Sequence, residues 1–457
     1  MITLGELARA IEGAAADSAG TRIESVSTDS RTLQAGALFV ALRGPRFDGH
    51  DYAREARARG AAALMVEHPV PVDCPQLRVP DTRRALGRAA AHWRCGFSLP
   101  VVAVTGSNGK TTLTQMIASI FAQAYGQRDG RALWLATRGN LNNDIGLPLM
   151  LFELAGHHRA AVFELGMNRV GEIAELAQMA RPTLAVVNNA QREHQEFLQS
   201  AEATARENGA VLAALPPDGV AVFPADDRCA SIWRDLAGLR RVIDFGMSEP
   251  ATVTASYRAG AGASELRIST PAGSVDSTLA LAGAHNVHNA LAATACCLGL
   301  GIAPQAIGAG LAAFRPVPGR GTRLTAGRGA VLIDDSYNAN PDSVRAAIDL
   351  LAAEAGPRVL VLGDMGEVGL QGPAFHREIG AYAKERGIET LLATGALSRE
   401  AVLAFGAGAR HFDDVESLIA AVRPLLASGG SVLVKGSRFM RMERVVQALA
   451  GRAADGH

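Results

Sequence analysis

One short stretch of the sequence has the residue types that bind phosphate. Residues 101–112 read VVAVTGSNGKTT, in which an apolar run leads into a glycine-rich turn, a lysine and two threonines. A strand followed by such a turn and a helix presents backbone N–H groups to phosphate oxygens. The Lys110 ammonium would reach the β- and γ-phosphates of a nucleotide, and the Thr111 hydroxyl would bind Mg²⁺. The common spacing G-x-x-x-x-G-K-[ST], however, requires glycine at position 104, where this chain has valine.

The whole turn is therefore a candidate nucleotide site. The residues expected to hold the phosphates are Gly106, Ser107, Asn108, Gly109, Lys110, Thr111 and Thr112. The alternative is a plain glycine turn between a strand and a capped helix. A GTPase is disfavoured, because none of the three lysines follows an asparagine as the base-reading motif N-K-x-D requires.

Polar side chains also end the later apolar runs. Glu164 closes AAVFEL, and His194 closes LAVVNNAQREH. In a parallel α/β sheet ligands gather at the carboxyl ends of strands, where a carboxylate can bind the Mg²⁺ of a nucleotide. The alternatives are a Glu164 that pairs with a surface arginine and a structural His194. IDDSYNANP (333–341) also places two aspartates at a strand end, which favours a cation or ligand hydroxyls.

Two asparagine-rich segments and a rare lysine are further candidates. NLNNDIGLP (140–148) and HNVHNALAA (285–293) could bind an amide-rich substrate or adenine, or could simply cap turns and helices. LVKGSR (433–438) repeats the strand-then-glycine pattern. Only Lys110, Lys384 and Lys435 among the 45 basic residues are lysines. A remaining lysine is therefore expected to serve for its own geometry, although Lys384 is expected to be an ordinary exposed helix residue.

Composition limits the class of protein. The 457 residues are 48% hydrophobic and 20% charged with zero net charge, which indicates a soluble protein of two to four domains and disfavours nucleic-acid or membrane-surface binding. The five irregularly spaced cysteines and the absence of a signal-peptide pattern predict a cytoplasmic protein. The uncharged stretch 284–314 is expected to form two packed helices, 288–298 and 304–313, and no membrane span.

Alternating strands and helices predict an α/β fold in three domains. Residues 1–97 form a small α/β domain, and the pattern restarts at 98 with four apolar runs separated by helices, which predicts a mostly parallel sheet. The cluster RPVPGRGTR (315–323) marks the next boundary. The predicted domains are 1–97, 98–314 and a Rossmann-like unit 315–457, with helices over 341–354 and 373–387.

Together these stretches resemble the Mur ligases, ATP-dependent amide ligases of bacterial peptidoglycan synthesis, nearly from end to end. TGSNGKTT is similar to the family's own shorter phosphate loop, T-G-x-x-G-K-T, which accounts for valine at position 104. STDSRTLQAGALFVALRGPRFDGHDY (27–52) resembles the domain that holds the uridine diphosphate of the substrate. NLNNDIGLP with DDSYNANP resembles the member that joins D-alanyl-D-alanine to UDP-N-acetylmuramoyl-tripeptide, and the D-N-P-R motif of the preceding enzyme is absent.

The resemblance implies ATP and Mg²⁺ as cofactors, an acyl-phosphate intermediate, release of ADP and phosphate, and action as a monomer. It implies that Lys110, Glu164 and His194 are catalytic and that Thr111, Glu164 and His194 ligate the metal. It also implies nucleotide contacts from Asn286, Arg320 and Asp335. The implied substrate contacts are Ser27, Asp29, Ser30, Arg31, Arg43, Asn140, Asn142, Asn143, Asp144, Asn338, Lys435 and Ser437.

The sequence departs from the family at one position. Many Mur ligases carry a carbamylated lysine shortly after the metal-binding histidine, but the corresponding residue here is Asn208, and no lysine lies between Lys110 and Lys384. Our hypothesis is that Glu207, Glu202, Glu193 or water supplies the missing oxygen ligand.

Three alternative functions fit part of the pattern. A related ligase of the folylpolyglutamate synthetase type would share the phosphate loop and the metal site, but not NLNNDIGLP with DDSYNANP. A P-loop kinase or NTPase would need no dipeptide. An inactive scaffold protein would fit the change at Asn208, but Lys110, Thr111, Glu164 and His194 are all present.

Overall fold

The computed structural model describes residues 2–193, 195–198, 200–248, 250–260, 262–325 and 330–451. Its three main sheets draw their strands from within 1–97, 98–314 and 315–457 respectively. The predicted α/β class is confirmed, and we keep these ranges as proposed domains. We refer to them as the N-terminal, central and C-terminal units.

The N-terminal unit is built on a five-stranded sheet. Its strands are, in spatial order, Ala15–Ala16, Gln76–Arg78, Ala63–Val66, Ala37–Val40 and Ser25–Ser27, and only the first pairing is antiparallel. Short two-stranded pairings join Ile2–Thr3 to Arg22–Ile23 and Arg43–Gly44 to Phe47–Asp48. The helices are Leu4–Ala10, Ala53–Ala58 and Thr82–Cys95.

The central unit contains a fully parallel six-stranded sheet. Its spatial order is Trp134–Ala136, Ala160–Glu164, Val101–Thr105, Leu184–Val187, Val220–Pro224 and Arg241–Phe245. The helices are Lys110–Tyr125, Gly146–Phe152, Glu172–Ala180, Gln195–Leu198, Ala201–Ala213, Ala230–Ala237, Ala284–Gly299 and Pro304–Ala313. A two-stranded hairpin pairs Gln127–Arg128 with Arg131–Ala132.

The near-continuous apolar strands of this sheet are buried on both faces, as expected for a parallel sheet covered by helices. Val102 and Val104 pack into one hydrophobic core, and Val101 and Ala103 pack into the core on the opposite face. The side-chain alternation of a strand thus places both cores around the segment that leads into the phosphate loop.

A second, antiparallel sheet in the central unit was not predicted. It consists of Thr254–Ala259, Ser264–Thr270 and Gly273–Leu279. Buried and exposed residues alternate along its middle strand, with Leu266 and Ile268 in the core and Glu265 and Arg267 exposed. This sheet extends the same core on which helix Pro304–Ala313 packs.

The C-terminal unit has a six-stranded sheet with one antiparallel edge. Its order is Thr322–Thr325, Val331–Asp335, Ser431–Lys435, Arg358–Gly363, Thr390–Thr394 and Ala409–Phe412, and only the first pairing is antiparallel. The helices are Pro341–Ala352, Gly372–Glu385, Ser398–Phe405, Val415–Ala427 and Glu443–Leu449.

The predicted helices lie close to the observed ones. The helix predicted at 288–298 begins earlier, at Ala284, and the helices predicted at 341–354 and 373–387 end two residues earlier than expected. Across the described ranges, no helix combines the length and the apolar character needed to cross a membrane.

Candidate active site

The phosphate-loop strand Val101–Thr105 lies where the strand order of the central sheet reverses. Its neighbours are Ala160–Glu164 on one side and Leu184–Val187 on the other. Val104 is in register with Glu164, and Thr105 is in register with Val187. The carboxyl ends of three strands therefore meet beside the loop, which is the position where open α/β sheets bind ligands.

Two glycines allow the loop to turn tightly against its neighbours. Gly106 and Gly109 have φ of 128° and 80°, in the region that favours glycine. A Cβ on Gly109 would lie 2.4 Å from Asn289 Oδ1, so a substitution there would be strained by the positive φ and would displace the Asn289 side chain. Helix Lys110–Tyr125 begins immediately after this turn and buries Leu113, Ile117 and neighbouring residues in the core.

Lys110 lies folded over the loop. Its Nζ donates hydrogen bonds to the carbonyl oxygens of Gly106 and Ser107, at 2.6 and 3.0 Å. It also lies 3.3 Å from the carboxylate of Glu193, which is 8% exposed. The Lys110 ammonium is thus positioned over the phosphate loop with carboxylate charge beside it.

Glu164 is a buried carboxylate with one free oxygen. Its side chain is 3% exposed, and Oε1 accepts a 2.7 Å hydrogen bond from Asn142 Nδ2. Oε2 is buried and has no hydrogen-bond partner among the described residues. Burying a carboxylate oxygen costs free energy unless a hydrogen-bond donor or a cation binds it. Glu164 is therefore suited to be a Mg²⁺ ligand.

Few other side chains near Glu164 could bind Mg²⁺. Within the described ranges, no group of three or more His, Cys, Asp and Glu side chains could hold a metal alone. This agrees with the way Mg²⁺ is usually bound, by one or two carboxylates plus substrate phosphates and waters. Thr111 lines the same cavity as Glu164, whereas His194, the other predicted ligand, lies outside the described residues. The role of His194 as a metal ligand stays a prediction.

Asn208 supports the phosphate loop. Its side chain is 1% exposed; Oδ1 accepts the Gly106 N–H at 2.9 Å, and Nδ2 donates to Thr204 O at 3.1 Å. The Asn208 backbone oxygen also accepts a hydrogen bond from the Thr105 hydroxyl at 3.2 Å. The residue at the family's lysine position therefore positions the loop backbone instead of pointing a charge into the cavity.

The three carboxylates suggested as replacement ligands are in different surroundings. Both Glu207 oxygens accept backbone N–H groups at the start of helix Glu172–Ala180, at 2.9 and 3.1 Å. Glu202 is exposed on the first turn of its helix. Of these three carboxylates, only Glu193 lines the cavity, so we retain Glu193 alone as a proposed ligand.

An asparagine cluster that was not predicted braces the loop. Asn188 Nδ2 donates to Asn108 O and to Asn289 Oδ1, at 2.8 and 2.7 Å. Asn189 Oδ1 accepts the Asn108 N–H at 2.8 Å. Asn188 and Asn189 directly follow the strand that ends at Val187, so the strand-end rule that selected His194 could also have selected them.

One cavity of about 970 Å³ joins the central and C-terminal units. The predicted site residues that line it are Ser107, Asn108, Gly109, Lys110, Thr111, Thr112, Asn140, Asn142, Asn143, Glu164, Asn286, Arg320, Asp335, Asn338, Lys435 and Ser437. Among the described residues, the predicted candidates Gly106, Asp144 and the five in the N-terminal unit do not line it.

The loop 140–144 divides its polar groups among several partners. Asn143 Oδ1 accepts the N–H groups of Ile145 and Gly146, at 3.2 and 2.8 Å, and so fixes the start of helix Gly146–Phe152. Asp144 forms a salt bridge with Arg83 of the N-terminal unit. This loop therefore ties two units together besides lining the cavity.

The predicted residues of the N-terminal unit form local polar networks. Ser27 hydrogen-bonds the backbone of Asp29, and Asp29 pairs with Arg31 at 2.7 Å. The Ser30 hydroxyl donates to Glu55 at 3.2 Å. Arg43 pairs with Asp48 and with Glu67, at 2.9 and 3.0 Å. Their role in binding a uridine diphosphate stays a prediction.

The paired aspartates of the C-terminal unit have different roles. Asp335 and Lys435 are register partners on adjacent strands and form a 2.6 Å salt bridge, with Lys435 2% exposed. Asp334 instead accepts hydrogen bonds from Ser336 and from the Gly319 N–H, and burial raises the pKa of its carboxyl. Asp335 therefore lines the cavity while Asp334 shapes the turn beside it.

Two predicted nucleotide contacts also face the cavity. Arg320 lies 4.1 Å above the Tyr337 ring, and its Nη2 lies 3.4 Å from the Thr111 hydroxyl. Asn286 Nδ2 donates to Ala282 O at 2.8 Å. The nearby pair Asp226 and His288, 3.1 Å apart, was not predicted, and the hydrogen bond to His288 lowers the pKa of Asp226.

Arg192 joins the central and C-terminal units through two ion pairs. Its guanidinium bonds Asp342 at 2.7 Å and Glu378 at 2.7 Å, and the hydrogen bond to Arg192 lowers the pKa of Glu378. Beside it, Asn340 Nδ2 donates to Asn108 Oδ1 at 2.8 Å. These contacts hold the phosphate loop against the C-terminal unit.

We predict that Arg192→Ala separates the two units. The substitution removes two partly exposed ion pairs that stabilise the contact between the units by about 0.5–1 kcal/mol each. Their loss would lower the ratio of molecules with the units in contact to molecules with the units apart by roughly 5–30-fold. Small-angle X-ray scattering should show a larger radius of gyration, and kcat/KM should fall. Arg345→Ala is the matched control, because Arg345 also pairs with Glu378 but lies within the C-terminal unit. Equal scattering from both variants would contradict the prediction.

Three family models match the chain, one in each unit. They are the Mur ligase family catalytic domain over residues 22–94, the Mur ligase middle domain over 104–297 and the Mur ligase glutamate ligase domain over 319–438. The chain belongs to the Mur ligase family. This confirms the resemblance found in the sequence.

Relatives and solved structures of similar length agree. UDP-N-acetylmuramoyl-tripeptide–D-alanyl-D-alanine ligase of Escherichia coli (strain K12) is 42% identical over 453 residues, 98% of either chain. A crystal structure of MurF from Acinetobacter baumannii is 33% identical, with a TM-score of 0.92 over 99% of both chains. The structure of MurF ligase from Thermotoga maritima in complex with ADP is 26% identical, with a TM-score of 0.83, covering 94% of this chain and 97% of that one.

Proposed function

We propose that this chain joins D-alanyl-D-alanine to UDP-N-acetylmuramoyl-tripeptide, converting ATP to ADP and phosphate. The reaction would be the last cytoplasmic step of peptidoglycan precursor synthesis, carried out by a monomer. The observation that best supports the proposal is the shared cavity, in which the phosphate loop and Glu164 face Asp335, Asn338, Lys435 and Ser437 of the C-terminal unit. The 42% identity to the Escherichia coli UDP-N-acetylmuramoyl-tripeptide–D-alanyl-D-alanine ligase supports the choice of substrates.

The chemistry requires two anions to meet. The terminal carboxylate of the tripeptide attacks the γ-phosphorus of ATP, ADP leaves, and an acyl phosphate forms. The amine of the dipeptide then attacks the acyl carbon, phosphate leaves, and the amine gives up a proton. Because like charges repel, groups that offset negative charge accelerate the first step more than a protein nucleophile would.

Lys110 supplies such a charge. Its Nζ, now on the carbonyls of Gly106 and Ser107, would turn to the transferred phosphoryl group while the loop N–H groups hold the neighbouring oxygens. Glu164 and Thr111, with His194 and Glu193 as further candidates, would hold Mg²⁺. When bound, the cation offsets phosphate charge. Closure of the units around the bound substrates would exclude water and so protect a hydrolysable acyl phosphate.

Product analysis tests the proposal. The full chain is incubated with ATP, Mg²⁺ and UDP-N-acetylmuramoyl-tripeptide, with D-alanyl-D-alanine, L-alanyl-L-alanine or no dipeptide. We expect mass spectrometry to detect the pentapeptide product only with the D,D-dipeptide, together with stoichiometric phosphate. Phosphate release that is the same in all three samples, without a new amide, would overturn the proposal in favour of an NTPase.

A further inference from the structure

The Glu164 carboxylate is held from one side only. Asn142 Nδ2 donates to Oε1 at 2.7 Å, while Oε2 stays buried without a partner among the described residues. A carboxylate bonded at one oxygen has a restricted rotation, so the orientation of Oε2 is determined by Asn142. The hydrogen bond is also charge-assisted, which makes it stronger than a bond between neutral groups.

Asn142 is itself fixed by the backbone around it. Its N–H donates to Asn140 O, and its carbonyl accepts the Gly166 N–H, both at 2.8 Å. A Cβ on Gly166 would lie 2.9 Å from Asn142 Cγ and Nδ2. Gly166 follows Glu164 by two residues, so the glycine leaves the space in which the Asn142 amide reaches the carboxylate.

We propose that Asn142 is a positioning residue that aims the Glu164 carboxylate at the divalent cation. Its neighbours in the same loop have other partners, since Asn143 Oδ1 accepts the N–H groups of Ile145 and Gly146, and Asp144 pairs with Arg83. This cavity-lining loop is thus bonded directly to the carboxylate that we propose as a metal ligand. This inference deepens the proposed function, because it gives one residue of the NLNND loop a role in metal binding.

The test measures metal binding without turnover. Mn²⁺, which suits the same oxygen ligands as Mg²⁺, is titrated into the full chain with a non-hydrolysable ATP analogue, and free Mn²⁺ is followed by electron paramagnetic resonance. Loss of such a supporting hydrogen bond costs about 10–100-fold in metal affinity. We expect a weakening of that size for Asn142→Ala. The affinity for the metal-free analogue should stay unchanged.

Gly166→Ala supplies an independent variant. The backbone of Gly166 does not require positive φ, so alanine should fold, but its Cβ would displace the Asn142 amide. We expect a similar loss of Mn²⁺ affinity and no further loss in the double variant, because both changes remove one hydrogen bond. Asn143→Ala is the control, which should lower thermal stability without changing Mn²⁺ affinity.

Two results would overturn the inference. One is unchanged Mn²⁺ affinity in both Asn142→Ala and Gly166→Ala. The other is a raised KM for the muramoyl substrate with intact metal binding, which would make Asn142 a substrate contact. Neither dipeptide nor muramoyl substrate enters the metal titration. A failure of the proposed ligase reaction would therefore appear in the product analysis of the unaltered chain and not here.

Discussion

Replacing Lys110 with methionine is expected to lower kcat by roughly 10²–10³-fold, the usual cost of losing one charge-stabilising donor. Methionine has similar length and no charge, so the loop should keep its shape. The Lys110 ammonium lies within 3.0 Å of two loop carbonyls, from which it would turn to the transferred phosphoryl group. Steady-state phosphate release and product formation measure the effect.

The scarcity of lysine provides matched controls for this variant. Lys384 is an exposed residue of helix Gly372–Glu385, where its Nζ donates to Ala407 O at 2.9 Å. Lys384→Met should therefore keep wild-type turnover. Lys110→Arg should remain impaired, because a planar guanidinium does not fit where one compact ammonium bonds two carbonyls. Full activity in Lys110→Met or in Lys110→Arg would show that the position does not act through ammonium geometry.

Glu164→Gln is expected to have the second large effect. The substitution keeps the shape of the side chain and removes the charge from a group that is 3% exposed. Losing a direct carboxylate ligand should weaken metal binding more than the roughly 10–100-fold caused by losing a supporting contact. We therefore expect the Mg²⁺ concentration needed for half-maximal activity to rise by more than about 100-fold. Phosphate release measured across a Mg²⁺ titration checks this.

Glu207→Gln separates metal binding from folding. Glu207 is also a buried glutamate of the central unit, but its oxygens bond the start of helix Glu172–Ala180. This variant should melt at a lower temperature and keep the wild-type Mg²⁺ requirement. If Glu164→Gln kept its Mg²⁺ requirement and only melted earlier, Glu164 would be a structural residue, and the metal site would have to lie elsewhere.

Parallel strands could be predicted where they are short apolar runs ended by polar residues. The edge strands Trp134–Ala136, Arg241–Phe245 and Ala409–Phe412 were not predicted, because they are shorter or contain charged residues. Val101–Thr105 and Ala160–Glu164 are buried along their whole length, and that pattern is visible in the sequence. The antiparallel sheet around Ser264–Thr270 escaped prediction because its polar face is filled with exposed residues such as Glu265 and Arg267. A half-solvated strand of this kind resembles a loop in a region rich in glycine and serine.

The site was predictable where a single segment carries the signal. TGSNGKTT identifies the loop, but the groups that brace it come from distant segments: Asn208, Asn188 and Asn289. Arg192 was missed for the same reason, since its partners Asp342 and Glu378 lie far along the chain. Only tertiary contacts show that Asn208 holds the Gly106 N–H and does not replace a charged ligand.

The most direct test of the proposed acyl-phosphate route follows one oxygen atom of the tripeptide carboxylate. The terminal carboxylate of UDP-N-acetylmuramoyl-tripeptide is labelled with ¹⁸O, and the phosphate released with ATP, Mg²⁺ and D-alanyl-D-alanine is analysed by mass spectrometry. Transfer of that carboxylate to the γ-phosphoryl group, followed by attack of the amine on the acyl carbon, leaves one labelled oxygen in each phosphate. We expect one ¹⁸O per phosphate and per amide formed. Phosphate without label would contradict the acyl-phosphate route and leave water as the acceptor of the phosphoryl group.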